Sequence, residues 1–152
     1  MYTRTMIWAA ALAVPGCLLL VAAVEAPDPM SDDEKAIRAV IQRYFDGIIQ
    51  YDEAALREAF HPDAIVTGLN KAGAVESAPF QEWVLYTRGQ APDPTGRNNS
   101  IVHVDIAGTA AVVKTDLNWP HVRYIDYLSL MKSNDEWHIV NKIFHRGEPQ
   151  PR

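Results

Sequence analysis

Apolar residues return at Ile37, Val40, Ile41, Tyr44, Phe45, Ile48 and Ile49. That i, i+3, i+4, i+7 spacing lays one apolar stripe along an α-helix. Ser31, with Glu34 three residues on, forms a capping box at its start. Gly47 lies inside the stripe, costs about 1 kcal/mol of helix propensity and marks close packing. A second helix is predicted over residues 53–60, capped by Asp52 and ended by Pro62. The period then shortens. Residues 64–69 read as a short strand and residues 70–77 as a loop. Pro79 opens a third helix that runs to about Gly89. Residues 91–99 carry Pro92, Pro94 and Gly96 and read as a mobile loop.

Four strands follow, in two hairpins. The first turns at Gly108-Thr109 and pairs Ala107 with Ala110. That register puts Val102, Val104, Ile106, Ala111 and Val113 on one face, with His103, Asp105, Lys114 and Asp116 on the other. The second occupies residues 124–145 and turns at Asn134-Asp135. An unbroken register pairs Lys132 with Trp137, Leu130 with Ile139, Leu128 with Asn141, Asp126 with Ile143 and Tyr124 with His145. One face then mixes Leu128, Leu130, Trp137 and Ile139 with the polar groups of Tyr124, Asp126, Asn141 and His145, as a pocket wall would. Lys142 and His138 fall on the opposite face, beside Ile125, Tyr127, Met131, Val140 and Phe144. A slip of one residue would reverse every assignment on the strand that slips. The second face is an apolar patch of the kind that marks an interface, here between two copies of the chain.

Helices before a run of antiparallel strands make an α+β layout, with a curved sheet closing around the helices. The 152 residues allow one domain with a core. It is placed at residues 31–147, between a linker at 27–30 and a tail at 148–152. A formal charge of −5 with no Lys/Arg cluster excludes a nucleic-acid surface. Cys17 is the only cysteine, which excludes an intrachain disulfide and a cysteine zinc site. No HExxH spacing, phosphate loop or G-x-S-x-G elbow occurs, so no metal or cofactor is expected. Arg4 precedes an uncharged apolar run, and residues 1–26 read as a signal peptide or an N-terminal anchor. Gly16-Cys17 leaves a lipoprotein as a third possibility. The expected location is therefore periplasmic or secreted, with membrane attachment only if the segment is retained.

Residues 39–68, AVIQRYFDGIIQYDEAALREAFHPDAIVTG, resemble the opening of the nuclear transport factor 2-like superfamily. That superfamily includes ketosteroid isomerase and scytalone dehydratase. FHPDA, DIAGTAAVVK, DYLSLMK and WHIVNKIFHR are similar to the signature of its putative lumazine-binding group, and the likeness spans residues 34–146. The resemblance implies a cone: a conical, antiparallel-rich sheet wrapped around N-terminal helices, with a pocket inside and dimers formed through the sheet. Tyr44 resembles the oxyanion-binding tyrosine of the steroid isomerase. The catalytic aspartate's position falls on Gly68, which has no titratable group, so that mechanism is not inherited. Asp63 falls on a different, structural aspartate.

Two constellations stand out. Asp126 and His145 are candidate catalytic residues, because a buried carboxylate can orient an imidazole for acid–base work. The competing reading is a polar cluster that holds the sheet together. Tyr44, Trp83, Tyr86, Trp119, Tyr124, Trp137 and Asn141 are candidate ligand-binding residues, and the competing reading is core packing. His61 and Asp63 read as turn residues. The leading function is an exported small-molecule-binding protein with a mostly apolar pocket. The alternatives are an isomerase- or dehydratase-type enzyme using a His-Asp-Tyr cluster, and a dimeric interaction module with no ligand. Export predicts that N-terminal sequencing of the secreted product begins near Val24; full-length chain confined to the cytosol would rule it out.

Overall fold

The computed structural model describes residues 30–151, so the expected signal or anchor segment lies outside the described residues. Helix α1 spans Asp32–Gln50, and the Ser31 side chain accepts the Glu34 N–H at its start. Its apolar stripe is buried from Ile37 to Ile48. Helix α2, Glu53–Ala59, crosses α1 at Gly47, where a Cβ would lie 2.7 Å from Leu56 Cδ2. The helices meet there because Gly47 has no side chain.

One six-stranded sheet follows, in the order β2-β1-β6-β5-β4-β3. Its strands are β1 (Phe60–Leu69), β2 (Val75–Pro79), β3 (Asn98–Ala107), β4 (Ala110–Trp119), β5 (Val122–Ser133) and β6 (Glu136–Gly147). Only β1 and β6 pair in parallel; the other pairs are antiparallel. The concave face holds the core with α1, and its buried members include Ile41, Phe60, Val113, Leu128 and Ile139. The α+β cone expected from the element order is therefore the fold. Strand β2 overlaps the end of the loop expected over residues 70–77. It is an edge strand, largely exposed, and shows no apolar alternation that could announce it. The third helix is shorter than expected: α3 covers Phe80–Trp83, and a 3₁₀ turn, Val84–Thr87, ends it. Phe80 anchors it by stacking on Phe60, with ring centroids 4.7 Å apart.

Both hairpins begin in the expected register and then depart from it. In the first, Ala107 pairs with Ala110 and His103 with Lys114, but an irregularity between Ile101 and His103 leaves Val102 53% exposed. Ile101 packs on the core in its place. In the second, Asn134 and Asp135 both take positive φ, at 52° and 63°, as a two-residue type I′ turn requires. Lys132 pairs with Trp137 and Leu130 with Ile139 as expected. Val140 is then an extra residue, and pairing resumes one place along: Ser129 with Asn141, Leu128 with Lys142, Asp126 with Phe144, Tyr124 with Arg146. A β-bulge adds one residue to one strand and bends it. The β1–β6 register shifts opposite the same point, between Phe60 and Ile65.

Beyond the bulge the expected side-chain assignment is reversed. Lys142 is buried and points into the cone; His145 and Ile143 are exposed on the outer face. Asn141 pairs with Ser129 on that outer face and is only partly buried. Phe144 leaves the outer patch for the inner wall, and Ile143 takes its place beside Tyr127, Met131 and Val112, all between 43% and 49% exposed.

Candidate functional site

A cavity of about 330 Å³ opens between α1, α3 and the concave sheet. Helix α1 contributes Tyr44 and Ile48, and α3 with its 3₁₀ turn contributes Trp83 and Tyr86. The sheet contributes Leu69, Leu117, Trp119, Tyr124, Lys142, Phe144 and Arg146. The aromatic wall is braced ring on ring. Trp83 meets Tyr86 at 5.0 Å, and Tyr124 meets Trp119 edge-on at 5.4 Å and Phe144 at 5.9 Å. Trp119 also donates its indole N–H to Asn99 Oδ1 at 2.9 Å, and the Arg97 guanidinium lies 4.1 Å over its ring. Such a wall offers a flat, rigid surface to a flat ligand.

Gly68 decides one corner. A Cβ there would lie 2.4 Å from Phe144 Cζ. The Phe144 ring therefore fills the space in which a side chain at residue 68 would stand.

The polar chemistry lies at the cavity floor. Tyr44 donates its hydroxyl to Asp126 Oδ2 at 2.6 Å. Lys142 Nζ donates to the Tyr44 oxygen at 2.5 Å and lies 3.1 Å from Asp126 Oδ2. Tyr44 and Asp126 are 0% exposed, while 8% of the Lys142 side chain remains accessible. Lys142 is thus the charged member that reaches the cavity wall, beside Tyr44. Its ammonium is boxed by the rings of Tyr44, Trp83 and Phe144, at 4.8, 5.2 and 5.4 Å from their centroids, a cation–π arrangement. An ammonium has three N–H donors. One is donated to Tyr44, while Asp126 is an ion-pair neighbour with no hydrogen bond from the ammonium, so donor capacity remains for an oxygen in the cavity. Burial, followed by the neighbouring Asp126 carboxylate, holds the Tyr44 phenol well above its ordinary pKa, so it stays a protonated donor. Asp126 Oδ1 is buried without a hydrogen-bond partner among the described residues, as is Oγ1 of its cross-strand neighbour Thr115.

Five expected ligand-binding residues, Tyr44, Trp83, Tyr86, Trp119 and Tyr124, stand on the cavity wall. Two do not. Trp137 is in the core and donates its indole N–H to Asp33 Oδ1 at 3.0 Å, a carboxylate that Lys132 also binds. Asn141 faces away, turned by the bulge. The expected Asp126–His145 pair does not form, for the same reason: Asp126 is inside and His145 outside. Lys142, Phe144 and Arg146 also line the cavity, on the side of β6 that an unbroken register turns outward. The available signal was a single lysine inside the apolar run IVNKIF. Its placement depended on a bulge that no residue type announces. Among the described residues no cluster of His, Cys, Asp or Glu is arranged to hold a metal.

Removing one partner of a buried ion pair leaves an uncompensated charge. Lys142→Met should therefore cost about 3–5 kcal/mol in urea denaturation, and Lys142→Met with Asp126→Leu should recover most of it. His145→Ala, on the exposed face, should stay within about 0.5 kcal/mol of the parent. A neutral Lys142→Met would reject the pair.

The family model described as "Putative lumazine-binding" matches residues 32–145. A curated relative, "Aldolase FrzH" of Cladobotryum sp, is 27% identical over 121 residues, covering 76% of this chain and 92% of that protein. Among solved structures, an NTF2-like protein of unknown function from Shewanella baltica OS155 superposes with a TM-score of 0.69 at 26% identity, covering 82% of this chain and 100% of that one. A ketosteroid isomerase-like protein from Erwinia carotovora atroseptica shares the fold, with a TM-score of 0.60 at 14% identity over 79% of this chain and 100% of its own. The chain belongs to the putative lumazine-binding family of the nuclear transport factor 2-like superfamily.

Proposed function

We propose that this protein binds a flat, largely apolar small molecule that carries an oxygen acceptor, with that oxygen held by Lys142. The observation that carries this reading is the unspent N–H of Lys142 at the floor of an aromatic-walled cavity of about 330 Å³. The rings supply apolar contact area, and one charged donor fixes the ligand's orientation. The family's description agrees with a small-molecule ligand. The aldolase name of one relative favours a second reading, an enzyme acting on a carbonyl compound. Lys142, Asp126 and Tyr44 would then supply a cation, a proton acceptor and a hydroxyl donor. A His-Asp-Tyr isomerase or dehydratase is not proposed, because His145 lies outside the cone. Export is proposed on Arg4 and the apolar run after it.

The test is titration with lumazine, followed by tryptophan fluorescence, since Trp83 and Trp119 line the cavity. Saturable quenching is expected. Lys142→Met should weaken it tenfold or more, because a hydrogen bond to a charged donor contributes about 1.5–3 kcal/mol. His145→Ala should leave it unchanged. If lumazine does not quench, and native mass spectrometry of protein from its own host finds no bound molecule, the reading fails.

We also propose a homodimer through the outer sheet face, on the exposed Val112, Tyr127, Met131 and Ile143. Ile143→Asp and Tyr127→Asp should give monomers in light scattering, because a buried unpaired charge is costly. Phe144→Asp does not test this, since Phe144 faces inward. A wild-type monomer would refute the dimer.

A further inference from the structure

Building on the binding reading, we propose that Lys142 is a catalytic amine. It condenses with an aldehyde or ketone in the cavity to form an imine, and Asp126 accepts the proton that frees it.

Three observations carry this. Lys142 is the lysine on the cavity wall, with its accessible fraction turned to the cavity. Asp126 is fully buried and its Oδ1 has no partner among the described residues. Tyr44 and Lys142 both meet Asp126 at Oδ2, which leaves Oδ1 open to take a proton. Lys142 Nζ lies 3.1 Å from Asp126 Oδ2, within reach of a direct proton transfer to that carboxylate. The free amine is the nucleophile that carbonyl chemistry requires. Finally, the rings of Tyr44, Trp83 and Phe144 surround Nζ at 4.8–5.4 Å. They stabilise positive charge at that atom, and the protonated imine carries its charge there as the ammonium does. A lysine held only to neutralise Asp126 would need no face on the cavity.

The steps balance. Nζ gives a proton to Asp126. Its lone pair forms the N–C bond while the carbonyl π electrons move to oxygen. A proton passes from nitrogen to that oxygen and gives a carbinolamine. Asp126 returns its proton to the hydroxyl, which leaves as water. The products are a protonated imine on Lys142 and the Asp126 carboxylate. The substrate class is an aldehyde or ketone on a flat apolar body that fits about 330 Å³.

The test is reductive trapping on the full chain with benzaldehyde and sodium cyanoborohydride, read by peptide mapping. Lys35 and Lys71 are exposed and serve as internal standards. Benzylation at Lys142 is expected at least tenfold faster than at either. Asp126→Asn should slow it about 10²-fold, the usual scale of lost proton transfer. If that variant does not fold, the wild-type ratio decides alone. Benzylation at Lys142 no faster than at Lys35 and Lys71 overturns the proposal. Benzyl alcohol, which forms no imine, is titrated in parallel by tryptophan fluorescence. Quenching by the alcohol without trapping at Lys142 removes the covalent step and keeps the pocket. Neither quenching nor trapping removes both.

Discussion

Asp126 is a carboxylate with no surface in water, and much of the cone's interior is arranged around it. A charge so buried needs a partner within hydrogen-bond reach. Lys142 and Tyr44 meet that need from two different elements, strand β6 and helix α1. The helix is thereby tied to the sheet by chemistry as well as by apolar contact. The tie depends on the bulge at Val140, because without the extra residue Lys142 would face solvent and His145 would face the carboxylate.

The same bulge decides what kind of pocket results. With Phe144 turned inward, its ring takes the space in which a side chain at residue 68 would stand. The Tyr44 hydroxyl serves Asp126. The polar chemistry of the chamber lies on the β5–β6 pair and on helix α1. What remains is an aromatic chamber with a cation at its floor and Arg146 on its wall. Shared architecture accommodates such changes because a site depends on a few side chains, not on the fold.

The helix stripes, both turns and the α+β order could be read from periodicity and turn chemistry, since these are local properties. Asn134-Asp135 fixed the first pairs of the last hairpin correctly as far as Leu130 and Ile139. Beyond that point a strand can stay regular or bulge, and the choice depends on long-range pairing with β1 and on what Asp126 requires. The apolar stretch from Ile139 to Phe144 fits either face. His145 was therefore the natural partner to expect for Asp126, and Lys142 the natural residue to leave outside. The aromatic wall was easier to find, because residues 44, 83, 86, 119 and 124 belong to elements other than β6, whose own side-chain alternation the bulge leaves unchanged. The edge strand β2 was hidden because an exposed strand needs no alternation.

The orientation of Lys142 is the claim on which site, mechanism and outer patch all depend. It can be measured in solution by nuclear magnetic resonance of the full chain labelled at lysine and histidine. The account predicts Lys142 ε-methylene protons shifted upfield by the surrounding rings, with cross-relaxation to Tyr44, Trp83 and Phe144, and a His145 imidazole that makes no contact with Trp83. A Lys142 methylene at its random-coil position, together with cross-relaxation from His145 to the Trp83 ring, would contradict it.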